Sequence, residues 1–211
     1  MVKYIPGELL IFDYAQNLKI VGTYHDLNQR DKGILEDLIT KSDFVALESD
    51  ENRVRNRVTP LGGLPSLIDL YYFSTLICYH VEHIGRVNRE FSPETDPRGR
   101  GPMQNEFNFC YRVAKNKSKT IYLVDWPLAY LLQELSKLPL RTKLHNLWCT
   151  RRSKPLPKKI RAIMETQRET YMLDKIIESE GPIQELTRKG VLIVGITHAL
   201  NFAESISILD E

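Results

Sequence analysis

The sequence predicts an α/β fold: a central, mainly parallel β-sheet flanked by helices, with an N-terminal hairpin and a helical insertion. Three observations predict it. Short apolar runs of the kind that fill buried parallel strands recur along the chain, as LKIV, FVAL, TIYLV and VLIV. Segments with helical spacing separate these runs. The 211 residues, 42% hydrophobic and 27% charged, suffice for one domain with a core and are too apolar for a disordered chain.

The elements follow in order. Residues 8–12 (ELLIF) and 18–24 (LKIVGTY) flank YAQN, where Asn17 suits a turn, so a hairpin is expected. Ile34, Leu35, Leu38 and Ile39 recur at helical spacing, and DFVALES (43–49) reads as a buried strand. Residues 18–49 therefore predict strand, helix, strand: a right-handed βαβ unit with a parallel pair. Residues 64–84 predict a long helix rich in Leu, Tyr and Phe, with Pro65 near its start, where a missing N–H costs little. The polar stretch GRVNREFSPETDPRGRG, with two prolines and three glycines, predicts a loop long enough to act as a lid. Residues 103–117 predict a helix with Phe107, Cys110, Tyr111 and Ala114 on one face. KTIYLVDW (119–126) predicts a buried strand closed by Pro127. Helices are expected at 128–138, around 141–150 and over 157–179, the last with a stripe through Ile160, Ile163, Met164, Tyr171 and Ile176. Residues 182–189 suit a short helix or turn, VLIVGITH (191–198) a last buried strand, and 199–209 a closing helix. Residues 1–211 thus read as one domain, with a basic helical segment at about 128–164.

The net charge of +2, from 29 Lys+Arg against 27 Asp+Glu, hides an asymmetry. Residues 135–164 carry nine Lys/Arg and no Asp or Glu, which leaves 20 basic against 27 acidic residues elsewhere. The chain is a +9 segment on a −7 body. Three readings of that segment stand: a solvated helical face, an attractor of anionic ligands, nucleic acid or membrane, or a surface that balances an acidic one in a homodimer. Aromatic interleaving is sparse, with Trp148 alone, so a nucleic-acid module is not favoured. The odd, widely spaced Cys78, Cys110 and Cys149 argue against a disulfide framework. There is no signal-peptide pattern at the N-terminus, and the longest apolar stretch, Leu67 to Val81, is broken by Asp69 and His80. A soluble cytoplasmic protein without a transmembrane segment is expected.

Chemistry concentrates at the carboxyl ends of the apolar runs. GTYH (Gly22, Thr23, Tyr24, His25) follows LKIV, and GITH (Gly195 to His198) follows VLIV. In open α/β sheets ligands bind beyond those ends. Two imidazoles there suit a metal site or an acid–base pair, or else are strand-end histidines satisfied by hydrogen bonds. Glu48 follows FVAL, with the chemistry of a third metal ligand or a general base, or else of a helix cap or a partner for Arg53. Asp125 stands at the equivalent place after TIYLV. Packing alone has no need for ionisable residues at all four strand ends. His80 and His83 in YHVEH lack zincin spacing, and there is no P-loop, no GxGxxG after a strand and no GxSxG elbow.

On these motifs the sequence resembles the TraB, pheromone-shutdown and TIKI group, within a superfamily that includes the erythromycin esterase and ChaN-like proteins. The matching elements are Gly22-Thr23-x-His25, Glu48-x-Asp50-x-x-Arg53 and Gly195-x-x-His198. Glu106 falls on the family's Glu-Phe helix, Asp125 on its following strand, and Arg168 on its late Arg-Asp/Asn-x-x-Met element, with Glu169 in the Asp/Asn place. The resemblance spans roughly residues 8 to 205 and implies a hydrolase, with metal-dependent hydrolysis of a peptide or related carbonyl substrate. His25, His198 and Glu48 would hold a divalent Mn, Co or Zn ion. Glu48 or Glu106 would take a proton from the attacking water. Arg168 and Arg53 would bind a carboxylate or stabilise an oxyanion, or serve as salt-bridge partners. The alternative is a non-catalytic protein that sequesters a small peptide or ligand in the same cleft. The basic segment, where the resemblance is thinnest, is expected to carry this chain's own specificity.

Overall fold

The computed structural model describes residues 9–24, 27–50, 105–151 and 158–209. The helix expected at 64–84, the polar loop after it, His25 and Arg53 lie outside the described residues.

Strands β1 (Leu10–Ala15) and β2 (Leu18–Thr23) form the expected antiparallel hairpin. Helix α1 (Gln29–Lys41) starts where Asn28 accepts a hydrogen bond from the Asp31 N–H at 2.9 Å, the N-cap arrangement that satisfies an otherwise orphaned donor. Strand β3 (Phe44–Leu47), helix α2 (Asn105–Asn116) and strand β4 (Thr120–Leu123) follow. Three helices come next, α3 (Leu128–Ser136), α4 (Leu140–Arg151) and the short α5 (Lys158–Arg161). A π-turn over Ala162–Thr166 leads into α6 (Gln167–Glu180). A 3₁₀ turn at Ile183–Glu185, strand β5 (Gly190–Gly195) and helix α7 (Ile196–Leu209) complete the described chain.

The described strands make one five-stranded sheet in the order β1-β2-β5-β3-β4, parallel except for the β1–β2 hairpin. The fold class is therefore α/β, as expected. The expected β2–β3 pair is not a neighbour pair: β5 lies between them and is parallel to both. All six β5 residues are buried, as befits the central strand. Two layers of helix cover the sheet. Leu35 and Ile39 of α1 and Phe107, Cys110 and Ala114 of α2 pack on one face with Val21, Val45 and Ile193. Met172 and Ile176 of α6 and Ala199 and Phe202 of α7 pack on the other with Ile20, Ala46 and Leu192. The alternation of inward positions along each strand divides the two clusters.

Three further sequence expectations are corrected. The last strand ends at Gly195, so His198 lies in the first turn of α7 rather than on a strand. Strand β4 is only partly buried, and it stands at the edge of the described sheet. The helix expected over 157–179 is interrupted by the π-turn, a feature that recurs near functional sites. The basic segment folds over its own small apolar cluster of Trp126, Leu135, Ile160, Ile163 and Met164. Among its described residues, Lys137 pairs with Glu134, Lys143 donates to the Ser136 carbonyl at 2.8 Å, and Arg161 lies 3.8 Å from Glu165. Among the described residues no helix is long and apolar enough to cross a membrane.

Candidate functional site

Strand register gathers the polar residues. Leu47 stands opposite Ile193 and Leu123, and Thr23 opposite Gly195. Thr23, Glu48, Asp125 and Gly195 therefore meet along one carboxyl edge of the parallel sheet. The ladder runs on past the strands, with Glu48 N–H donating to Ile193 at 3.0 Å and Asp125 N–H to Ser49 at 3.2 Å. Thr23 turns its hydroxyl to the Val194 carbonyl at 3.2 Å, a structural bond. Gly22 lets α7 approach the sheet: a Cβ there would stand 2.5 Å from the Ala199 Cβ.

Arg168 comes to this edge from the first turn of α6. Its Nε donates to Asp125 Oδ1 at 2.8 Å and its Nη2 to Asp125 Oδ2 at 2.7 Å, a two-pronged fork. The same Nη2 donates to Glu48 Oε1 at 2.7 Å, and Nη1 to the Met164 carbonyl at 3.1 Å. Glu48 Oε2 accepts the Gly195 N–H at 2.6 Å, and Asp125 Oδ1 also accepts the Trp126 N–H at 2.7 Å. The three charged side chains are 10% exposed or less. Burial by itself would raise the Glu48 carboxyl, but the neighbouring His198 and Arg168 and the Gly195 N–H hold it below the ordinary carboxylate range. Burial likewise opposes the Arg168 charge, and Asp125 and Glu48 more than restore it. This clamp ties β3, β4, β5 and α6 together. Of the roles expected for Arg168, the salt-bridge partner is the one displayed.

His198 sits against the clamp. Its Nε2 is 3.5 Å from Glu48 Oε1, within ion-pair reach but longer than an ordinary hydrogen bond. Its Nδ1 is within hydrogen-bond distance of Glu169 Oε1, at 2.8 Å. The same oxygen accepts from Asn201 Nδ2 at 2.7 Å. Glu169 was noted in the sequence only as standing in the Asp/Asn place of the late motif, with no role, and Asn201 was not singled out, although a signal for it was there. His198 and Asn201 are polar residues one turn apart in ITHALNFA, whose other residues apart from Thr197 are apolar. Glu106 is fully buried in the first turn of α2. Burial raises the nearby Cys110 thiol, and the Glu106 charge adds to it.

The described donors fit a divalent ion in part. A histidine whose second ring nitrogen is held by a carboxylate has the form of a metal-binding imidazole, which suits His198 Nε2. Glu48 does not suit the third place: both its oxygens are already bonded, and a fixed guanidinium charge lies 2.7 Å from Oε1. Among the described residues no group of three His, Cys, Asp or Glu could hold a metal. The edge of the sheet therefore offers one buried, oriented imidazole above a closed carboxylate–guanidinium–carboxylate clamp. No protein-family model, no curated protein and no solved structure matches this chain.

Proposed function

We propose that the chain is a hydrolase of a peptide or related carbonyl substrate, of the TraB/TIKI type, with His198 as its acid–base group. The observation that supports this reading is the His198 ring at the carboxyl ends of the parallel strands, its Nδ1 on Glu169 and its Nε2 turned toward Glu48. An imidazole so held takes a proton at Nε2 from a water that attacks a carbonyl, then returns it to the leaving group. Glu48 lies beside Nε2 and stabilises the imidazolium formed between those steps. Arg168 keeps Glu48 ionised and in place. Were a divalent ion held at His198 Nε2 with His25, it would replace that acid–base role, lowering the pKa of a bound water and polarising the carbonyl.

A second reading is a non-catalytic protein that sequesters a small peptide or ligand at the same strand ends. One observation favours it: Glu48 and Arg168, the expected base and oxyanion group, are bonded to each other. Chelator-treated protein, alone and with Mn, Co or Zn restored, separates the two readings on a panel of peptides, esters and lactones. The hydrolase reading expects turnover that falls roughly 10²-fold or more in His198→Gln, the range of general acid–base catalysis. Saturable peptide binding with no turnover under any metal condition refutes it in favour of sequestration.

A further inference from the structure

We propose that Glu169 and Asn201 form a positioning pair that dictates which ring nitrogen of His198 is bare and where it points. The proposal deepens the reading of His198 as the acid–base group. Glu169 Oε1 is the acceptor of two bonds, from His198 Nδ1 at 2.8 Å and from Asn201 Nδ2 at 2.7 Å. Those donors are three residues apart on α7, so they lie on one helix face, and a single oxygen caps both. The Asn201 amide also reaches Glu165 Oε2 at 3.4 Å, one turn earlier on the opposing segment. An amide NH₂ has two hydrogens, so it serves both carboxylates.

The consequence for His198 follows from donor chemistry. Ionised carboxylates only accept, and one faces each ring nitrogen, but Glu169 is within hydrogen-bond distance of Nδ1 at 2.8 Å while Glu48 stands 3.5 Å from Nε2, so the neutral ring carries its hydrogen on Nδ1. That leaves Nε2 bare, facing Glu48 and the end of the sheet. The side chains are largely shielded from water, at 7% exposure for His198 and 13% for Glu169, so the ring has little freedom to turn. Asn201 keeps Glu169 from swinging away. Arg168 and Glu169 are neighbours on α6 and point about 100° apart, so one residue serves the clamp and the next serves the ring. A glutamate suits this place because its longer side chain spans from α6 to α7.

Nitrogen-detected NMR of the histidine rings tests the pair on the intact protein. The measurement is made at about pH 9, well above the ordinary imidazole pKa of about 6.5, with the His198 signal assigned from His198→Gln. The expected wild-type ring has its hydrogen on Nδ1. Glu169→Gln supplies an amide donor that competes for Nδ1, so the hydrogen moves wholly or partly to Nε2. Asn201→Ala, which keeps the Glu169 charge, partly loses the Nδ1–H preference. A wild-type ring with its hydrogen on Nε2 overturns the proposal. So does an unchanged ring in both variants, each checked for native circular dichroism. The ring measurement does not depend on turnover. A wild type that hydrolyses nothing refutes the hydrolase reading alone, and an unchanged ring in an active protein refutes the positioning pair alone.

Discussion

Replacing Arg168 with methionine removes the guanidinium that contacts both Glu48 and Asp125, while keeping most of the side chain's apolar bulk. Each carboxylate retains one backbone donor, Gly195 N–H for Glu48 and Trp126 N–H for Asp125. Both lose the guanidinium charge that lies between them, and the two carboxylates then repel each other across the vacated space. The Asp125 side chain is 2% exposed and that of Glu48 10%, so water restores little of the loss. Breaking one partner out of a buried pair costs about 3–5 kcal/mol. A domain of ordinary stability has only about 5–15 kcal/mol to lose. Urea unfolding followed by tryptophan fluorescence reads the change, since the buried Trp126 is next to Asp125. The expected result is a midpoint shift worth about 3–5 kcal/mol near neutral pH with an unchanged m value. The deficit should shrink in acid, because protonating the two carboxyls removes the uncompensated charge. A deficit below about 1 kcal/mol, the level of an exposed ion pair, would refute the closed clamp.

The remaining predictions concern the same edge of the sheet. Gly22→Ala places a Cβ 2.5 Å from the Ala199 Cβ and 3.0 Å from Ile196 Cδ1, so α7 must shift. The expected cost is about 1–3 kcal/mol by thermal or urea unfolding, with turnover reduced because His198 rides on that helix. Gly190→Ala drives a Cβ into the buried Phe44 ring and is expected to cost a similar amount. The Glu48 carboxyl lies below its ordinary value of 4.5, so its contribution to stability is complete above that pH and is lost as pH falls through the folded value. Wild-type stability should therefore decline in acid more steeply than that of Glu48→Gln, and parallel acid limbs would count against it.

Much of the sheet was legible because buried parallel strands show as continuous apolar runs, and each of the four runs is a strand. Their neighbour order was not legible. Which parallel strands pair depends on crossovers, and nothing local to β2 or β3 marks β5 as their common partner. The position of His198 was misjudged because no Pro, Asn or Ser separates VLIVG from ITHAL, so strand passes into helix without punctuation. Glu48, Asp125 and Arg168 were found, one by one, from strand ends and from the resemblance. Their mutual bonding was hidden, since Arg168 is 120 residues from Glu48 and 43 from Asp125. Glu169 was noted only as the residue in the Asp/Asn place of the late motif, because its contact with His198 exists only once α7 is laid against α6.

The two polar groups that share α6 differ in what they hold, and this separates stability from function. Arg168 joins β3 to β4 and, through Glu48 and the Gly195 N–H, to β5, so any change within the clamp loosens the sheet edge itself. Glu169 joins only α6 to α7, with Asn201 and His198 on a face already fixed by Met172, Ala199 and Phe202 in the core beneath. Substitutions of Arg168 or Asp125 should therefore lower stability and turnover together. Substitutions of Glu169 should lower turnover at nearly constant stability, within about 1 kcal/mol, because a neutral hydrogen-bond partner of the same shape replaces one partly screened from water. Glu48 belongs to both sets, being 2.7 Å from Arg168 and 3.5 Å from the His198 ring. Its loss, like that of Arg168 or Asp125, should not separate the two properties, and a Glu48→Gln protein that kept full stability while losing turnover would make Glu48 the base rather than the anchor.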